Sequence, residues 1–396
     1  MNFTQYKYKI LLEGGNLSLK SGTDNEETVS SERIDLSVIN RDDLVPILKE
    51  LLETISNKFE KKTGVALWEK AALDELATLS GSSKHFFDLS GIKTQVFKKT
   101  LTSIGDIDTM VDITKKQELI EFLTGLAETS SSFKLSGAKV SFVGFKNTAN
   151  QLLSIWKLTT KTIKLNVQID FELVDFEGTK PTKFSTFSHS SNWSDLGTGI
   201  KGAFHKILLR AVSRVKTTPV LIQMKNKEPK EDVLKHYSFA VSHGLRAEFE
   251  PVTDEAGTLK TATDSTGGSR LLVKKLDSKT APYDKDLSSI FKKLFGNDPS
   301  NSELNKMESF NGLLDLINTY YKDDTIKIVE EFVELIWDTK LRMLAVDDSK
   351  TDFARKSTAV KLMLKTLKLS DEPSLKTLIS KLVTAYYPGE DYAKEF

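Results

Sequence analysis

Along this chain the spacing of apolar residues switches from helical to alternating and back, and the switches predict its elements. From Asn40, a residue type suited to capping a helix, Leu44, Ile47, Leu48, Leu51, Leu52, Ile55 and Phe59 form one apolar stripe. A second helix is expected over 66–79. A third is expected over 115–129, where Leu119, Ile120, Phe122, Leu123 and Leu126 keep helical spacing. Strict alternation marks strands instead. Residues 163–174 read IKLNVQIDFELV, with Ile163, Leu165, Val167, Ile169, Phe171 and Leu173 on one face and Lys164, Asn166, Gln168, Asp170 and Glu172 on the other. Residues 104–113 alternate in the same way, sending Asp106, Asp108, Met110 and Asp112 one way and Ile107, Thr109, Val111 and Ile113 the other. Further strands are expected over 139–145 and, shorter, over 6–12. The intervening 13–32, rich in Gly, Ser, Thr and acids without an apolar period, reads as a flexible loop.

The helical period returns over 192–214 and gives way after Pro219 to short strands over 220–224, 237–241, 245–251 and 270–275. From Tyr283 onward the pattern is helical throughout, with stripes over 304–321, 326–344, 354–367 and 375–386, and no internal repeat of fixed period is present. This order predicts an α+β fold. Residues 1–216 would form a small mixed sheet with helices, 217–282 a strand-rich accessory domain and 283–396 an all-helical C-terminal domain.

A hydrophobic content of 39% over 396 residues supplies enough apolar chain for two or three cored domains. The formal charge of +1 describes no uniformly basic binder, so any nucleic-acid contact must come from clustering. One basic zone exists, 180–216, where Lys180, Lys183, Lys201, Lys206, Arg210, Arg214 and Lys216 are opposed only by Asp195. Cysteine is absent, which removes disulfides, thiolate zinc sites and cysteine nucleophiles and leaves carboxylates as the natural metal ligands. Residues 1–15 lack the apolar run of a signal peptide, and no window approaches the roughly 20 apolar residues of a membrane span. The expectation is a cytoplasmic protein that does not enter a membrane.

Candidate chemistry gathers on the alternating strands. Two aspartates two residues apart on a strand have Cα atoms about 6.6 Å apart, within range for sharing hard cations. A strand of ordinary solvent-facing acids is the plainer reading of Asp106 and Asp108 alone, and a second acidic strand carrying Asp170 shifts the balance toward a metal site. Upstream, Gly81-Ser82-Ser83 follows a predicted helix. Its small residues would either free the backbone to approach a phosphate or simply end the helix with Gly at the C-cap.

Together, Gly81-Ser82-Ser83, the Gly105-Asp106-Ile107-Asp108 strand and Asp170 resemble the active-site pattern of the DNA polymerase β-like nucleotidyltransferase superfamily. The resemblance covers roughly 79–176, with an insertion around 84–103 relative to the family's spacing. It implies a two-metal nucleotidyltransferase fold in which Asp106 and Asp108 bridge Mg²⁺, or Mn²⁺, while Asp170 completes the shell and accepts a proton from the attacking hydroxyl. Gly81, Ser82 and Ser83 would hold the triphosphate of a nucleoside triphosphate such as ATP, aided by Lys201 and Lys206 from the basic zone. The acceptor implied is a polynucleotide 3′ end, foremost RNA. The alternatives are a protein or small-molecule hydroxyl, or an inactive interaction protein on the same fold. Asp112 and Glu172 are expected to add charge or face solvent. His189 and Trp193 would contact a base or, more simply, start a helix beside a packed Trp.

Overall fold

Residue contacts divide the chain into two units, Met1–Gly202 and Ala203–Phe396. The structure, a computed structural model, describes residues 17–20, 28–88, 103–189, 195, 200, 202–225, 227–277, 281–338 and 349–396. Both units mix helices and strands, with several sheets and a helical C-terminal region.

The first unit does not begin as the loop that composition suggests. Strands β1 (Ser18–Lys20) and β2 (Thr28–Ser30) pair antiparallel, with Leu19 opposite Val29. Three residues per strand are too few to show a period. The hairpin is tied instead beyond its ends, where the Ser31 N–H donates to the Leu17 carbonyl at 2.8 Å. The strand expected over 6–12 lies outside the described residues. A two-residue strand β3 (Ile34–Asp35) pairs with β4 (Ser103–Ile104). Helix α1 (Arg41–Thr63) starts at Asn40, whose side chain accepts from the Asp42 N–H at 3.2 Å, and ends at Gly64 with φ +79°. Its predicted stripe is buried except for half-buried Ile47.

The helix expected over 66–79 is reduced to α2 (Lys70–Asp74), because the flanking chain is recruited by the sheet. Trp68 donates its indole N–H to the Met110 carbonyl at 2.8 Å, and the Thr78 carbonyl accepts from the Met110 N–H at 2.6 Å. Helix α3 (Gly81–Phe87) follows. Strand β5 (Ile107–Asp112) leads through a 3₁₀ turn, Ile113–Lys115, into α4 (Lys116–Glu128). Asp112, expected in solvent or as extra charge, caps that turn by accepting from the Thr114 N–H at 2.9 Å.

Strands β6 (Ser132–Leu135), β7 (Ala138–Asn147), β8 (Gln151–Thr159) and β9 (Lys164–Val174) complete a sheet of order β5-β9-β8-β7-β6. β9 is parallel to β5 and antiparallel to β8, and the other neighbours are antiparallel. The alternation rule misses β8 because it is covered on both sides: Leu152, Ser154, Ile155, Trp156 and Leu158 are all buried. α1 and α4 supply one layer of the core, with Phe59 edge-on to Phe122 at 5.7 Å. Trp68 stacks on Phe171 at 6.0 Å, backing β9 from the side opposite its polar face. The short pair β10 (Phe176–Glu177) and β11 (Lys180–Pro181) and helix α5 (Lys183–His189) follow.

Helix α6 (Gly202–Val215) leads into the second unit, where β12 (Thr217–Met224) pairs antiparallel with β13 (Lys227–Lys235) and parallel with β18 (Ser269–Lys275). β13, KEPKEDVLK, carries almost no apolar signal. It is an edge strand, and its charges suit an edge that must not recruit another chain. β14 (Tyr237–Ala240) and β15 (Gly244–Ala247) form a separate hairpin, while β16 (Phe249–Pro251) and β17 (Thr261–Thr263) both pair with β18. The sheet's core is small: Val220, Ile222, Leu234 and Val273.

The helical region begins with α7 (Leu287–Phe295), which the stripe analysis omits and Asp286 caps. The helix expected over 304–321 is two, α8 (Asn301–Met307) and α9 (Phe310–Tyr320). Ser309 caps the second by accepting from the Gly312 N–H at 3.0 Å, and a Cβ on Gly312 would lie 2.2 Å from the Lys306 carbonyl oxygen. Only glycine permits that close turn. α10 (Thr325–Ile336), α11 (Ser349–Thr366) and α12 (Pro373–Tyr386) complete the region. Among the described residues no helix is long and apolar enough to cross a membrane.

Within this region Lys356 and Asp352 are both buried and paired at 2.9 Å, the Tyr387 hydroxyl donates to the same carboxylate at 2.7 Å, and the ammonium lies 3.8 Å from the Tyr386 ring centroid. Asp352→Asn removes the carboxylate charge that this buried ammonium pairs with, and a loss of about 3–5 kcal/mol is expected, read as a lowered midpoint in urea unfolding.

Candidate metal centre

The centre is built from strand register. β5 and β9 pair with Asp108 opposite Asp170, and Asp106 immediately precedes β5. One carboxylate oxygen from each of Asp106, Asp108 and Asp170 lies within 4.8 Å of the others. The three aspartates separated by 64 residues of sequence are therefore brought together. Asp106 and Asp108 are half-buried, whereas Asp170 is only 5% exposed.

Behind Asp108 stands the Gly-Ser-Ser turn. Gly81 opens α3 rather than ending a helix, with φ +52°, and a Cβ there would lie 2.8 Å from Asp108 Oδ2. Ser83 is fully buried. Its hydroxyl accepts from the Asp108 N–H at 2.8 Å and makes a long 3.4 Å contact to the Asp106 carbonyl, so it braces the acidic strand. Ser82 is half-exposed on the first turn. Ahead of them Thr78, Leu79 and Ser80 run along the free edge of β5: Leu79 bridges Thr109, and the Ser80 N–H donates to the Asp108 carbonyl at 3.2 Å. The wide sequence spacing between the turn and the acids is thus spanned without separating them.

Two further residues hold the site together in ways the sequence did not show. Glu172 is half-buried and accepts from the Ser80 hydroxyl at 2.6 Å, tying β9 to the start of α3. Arg41, the first residue of α1, is buried and donates to the carbonyls of Phe86 at 2.7 Å and His85 at 3.1 Å, and to that of Asp88. It caps the far end of α3, where unpaired carbonyls and the helix dipole favour a cation. An unusual arginine before an amphipathic stripe was the only available signal.

Burial above all, and then the nearby Asp106 charge, push the Asp170 carboxyl well above the usual carboxylate range; the Gln168 amide opposes this and Glu172 adds to it. Gln168 donates from Nε2 to both Asp170 oxygens, at 3.0 and 3.1 Å.

Lys201 and Trp193 lie outside the described residues. Lys206 sits on α6, 8% exposed, and its neighbour His205 is 1% exposed with Nε2 2.6 Å from the Met307 carbonyl. Burial, and secondarily the Lys206 charge, lower the His205 pKa to about 3, so a neutral imidazole donates that bond. α6 is buried over most of its circumference, His205 and Lys206 included. Lys180 pairs with Glu75 at 2.6 Å, and Arg214 with Glu331 at 3.4 Å. His189 ends α5 rather than starting a helix, with Nδ1 3.0 Å from the Ser185 carbonyl and 2.9 Å from the Ser188 hydroxyl.

Gly81→Ala places a methyl against Asp108 and an L side chain at positive φ. The expected result is about 1–2 kcal/mol of lost stability together with weaker Mn²⁺ binding, measured by urea unfolding and calorimetric titration. The second prediction concerns pH. A carboxyl with a raised folded pKa binds its proton more tightly in the folded than in the unfolded chain, so stability falls as pH rises from the unfolded value of about 3.9 through the folded one. Asp106→Asn removes one cause of the shift. In EDTA the variant should therefore melt above wild type at neutral pH, with the gap closing as pH is lowered toward 4, read by thermal scans across that range.

No protein-family model matches this chain and no curated protein matches it, so the chemistry of the centre is argued from its own residues.

Proposed function

We propose that the protein is a metal-dependent nucleotidyltransferase of the DNA polymerase β-like type, moving a nucleoside monophosphate from a nucleoside triphosphate to an acceptor hydroxyl and releasing pyrophosphate. The observation that carries this reading is the convergence of Asp106, Asp108 and Asp170 on adjacent parallel strands, with the Gly81 backbone pressed against Asp108. A mixed sheet with helices on one face and acids on the other is the architecture this reading expects.

The donor set fits a hard divalent cation. All three ligands are carboxylate oxygens, their charges repel one another without a cation, and two of them are open enough to share it with substrate. Bound there, Mg²⁺ would stabilise charge on the phosphate oxygens and acidify the acceptor hydroxyl. The chain's own residues do the rest. Asp106 and Asp108 fix the position of the triphosphate relative to the strand. Asp170, with its raised proton affinity, is suited to take the hydroxyl proton at a carboxylate oxygen. Ser83 and Gly81 keep Asp108 in place, and half-exposed Ser82 remains the turn's candidate for a phosphate contact. The acceptor proposed first is an RNA 3′ end.

Incubation of the full chain with Mg²⁺, each labelled nucleoside triphosphate and separate pools of tRNA, single-stranded DNA and cell protein tests this directly. Label is expected in RNA, and label in protein would move the acceptor while keeping the chemistry. Asp106→Ala and Asp108→Ala should each lower transfer at least about 100-fold, the equivalent of several kcal/mol of transition-state stabilisation. No transfer to any pool, with wild type and variants alike, would sink the enzymatic reading.

A further inference from the structure

The polar face of β9 carries more than acids. Gln168, two residues before Asp170 and 3% exposed, occupies a fully paired position between the candidate metal centre and the N-terminal hairpin. Its Oε1 accepts from the Leu17 N–H at 3.0 Å and from the Ser31 hydroxyl at 2.9 Å. A backbone N–H can only donate, so the carbonyl end of the amide must face Leu17, and the NH₂ end must face Asp170. The reversed amide would set donor against donor at Leu17 and acceptor against acceptor at the carboxylate.

Leu17 and Ser31 are themselves locked together. The Leu17 N–H also donates to Ser31 Oγ at 2.8 Å, and the Ser31 N–H donates to the Leu17 carbonyl at 2.8 Å. Their backbones are aligned on β9 by the Glu32 N–H, which donates to the Asn166 carbonyl at 2.8 Å, and by Asn166 Nδ2, which donates to the Ser30 carbonyl at 3.2 Å. The hairpin thus fixes one end of the Gln168 amide and leaves the other end a single partner, the Asp170 carboxylate.

We propose that Gln168 is a positioning residue for the metal centre, holding the Asp170 carboxylate toward Asp106 and Asp108, and that Leu17 and Ser31 of the N-terminal hairpin set the amide that does so. This rests on the metal-centre reading given above. Hydrogen-bonded partners behind a metal ligand orient it and raise its affinity for the ion, and Gln168 meets that description for Asp170. The hairpin then contributes to the centre without touching it: what docks is a pair of donors, and what reaches the aspartate is an oriented NH₂ group.

Calorimetric titration of the full chain with Mn²⁺, at a temperature where circular dichroism shows each variant folded, tests the proposal. Gln168→Met, close in volume and without hydrogen-bonding groups, should weaken Mn²⁺ binding about 10- to 100-fold. Ser31→Ala, remote from the three aspartates, should weaken it in the same direction by less. A purely structural role would lower the melting temperature and leave the Mn²⁺ affinity of the folded variant unchanged. Wild-type affinity in folded Gln168→Met, or in Ser31→Ala where Gln168→Met does not fold, overturns the positioning role while the metal centre stands. Failure of the metal centre itself looks different: wild type then binds no Mn²⁺, or Asp106→Ala/Asp108→Ala binds it as well as wild type.

Discussion

Mutual repulsion among Asp106, Asp108 and Asp170 is the constraint around which the first unit is organised. Two unit charges 4.8 Å apart repel by roughly 3–4 kcal/mol at an effective dielectric near 20. Three such pairs would cost on the order of 10 kcal/mol if all were ionised, comparable with the entire stability of an ordinary domain of about 5–15 kcal/mol. A proton or a cation among the carboxylates relieves that repulsion. The raised proton affinity of buried Asp170 is the first of these solutions. A divalent ion is the second, and the one a metal-dependent enzyme would use.

Holding the carboxylates together takes rigid backbone on every side. Parallel pairing of β5 with β9 fixes Asp108 opposite Asp170, and Trp68 stacked on Phe171 stiffens β9 from behind. Helix α3 is fastened at both ends. At its start, Ser80 engages Glu172 and Ser83 engages the Asp108 N–H. At its finish, Arg41 gathers the carbonyls of residues 85, 86 and 88. Gly81 can press against Asp108 because α3 cannot drift, and α3 cannot drift because a buried guanidinium of α1 replaces the partners its last carbonyls lack.

What was legible in the sequence follows from the range over which each signal acts. The alternation of 163–174 located β9 and the polar face bearing Asp170, and the stripe from Leu44 to Phe59 located α1, since both are repeats within one element. The gathering of the acids was readable because Asp108 and Asp170 each lie at a fixed phase of a strand and Asp106 directly precedes β5. Elements covered on both sides, such as β8, lose that phase, and edge strands of charged residues, such as β13, never carry it. The roles of Gly81, Ser83, Arg41 and Gln168 were not legible, because each is defined by a partner distant in sequence: 137 residues separate Gln168 from Ser31. The burial of Lys206 and His205 on α6 was not legible for a related reason, because a list of charges along the chain carries no information on what covers them.

The burial of the three aspartates is unequal, and the inequality assigns direction. Asp170 is enclosed by Gln168 on its own strand and by the hairpin behind it, so on the proposed reading nothing can approach a bound ion from that side. Asp106 and Asp108 are half-buried, and the half-exposed Ser82 begins the helix that abuts Asp108. Substrate phosphate must then arrive on the Asp106 and Asp108 side, where charge can be shared with solvent until it is shared with the ion. The buried carboxylate is left as the one whose proton affinity burial raises. A centre with one dry ligand and two wet ones therefore separates holding the ion from admitting the substrate, and the same inequality makes Gln168, the polar partner of the dry ligand, the residue through which the rest of the fold can act on it.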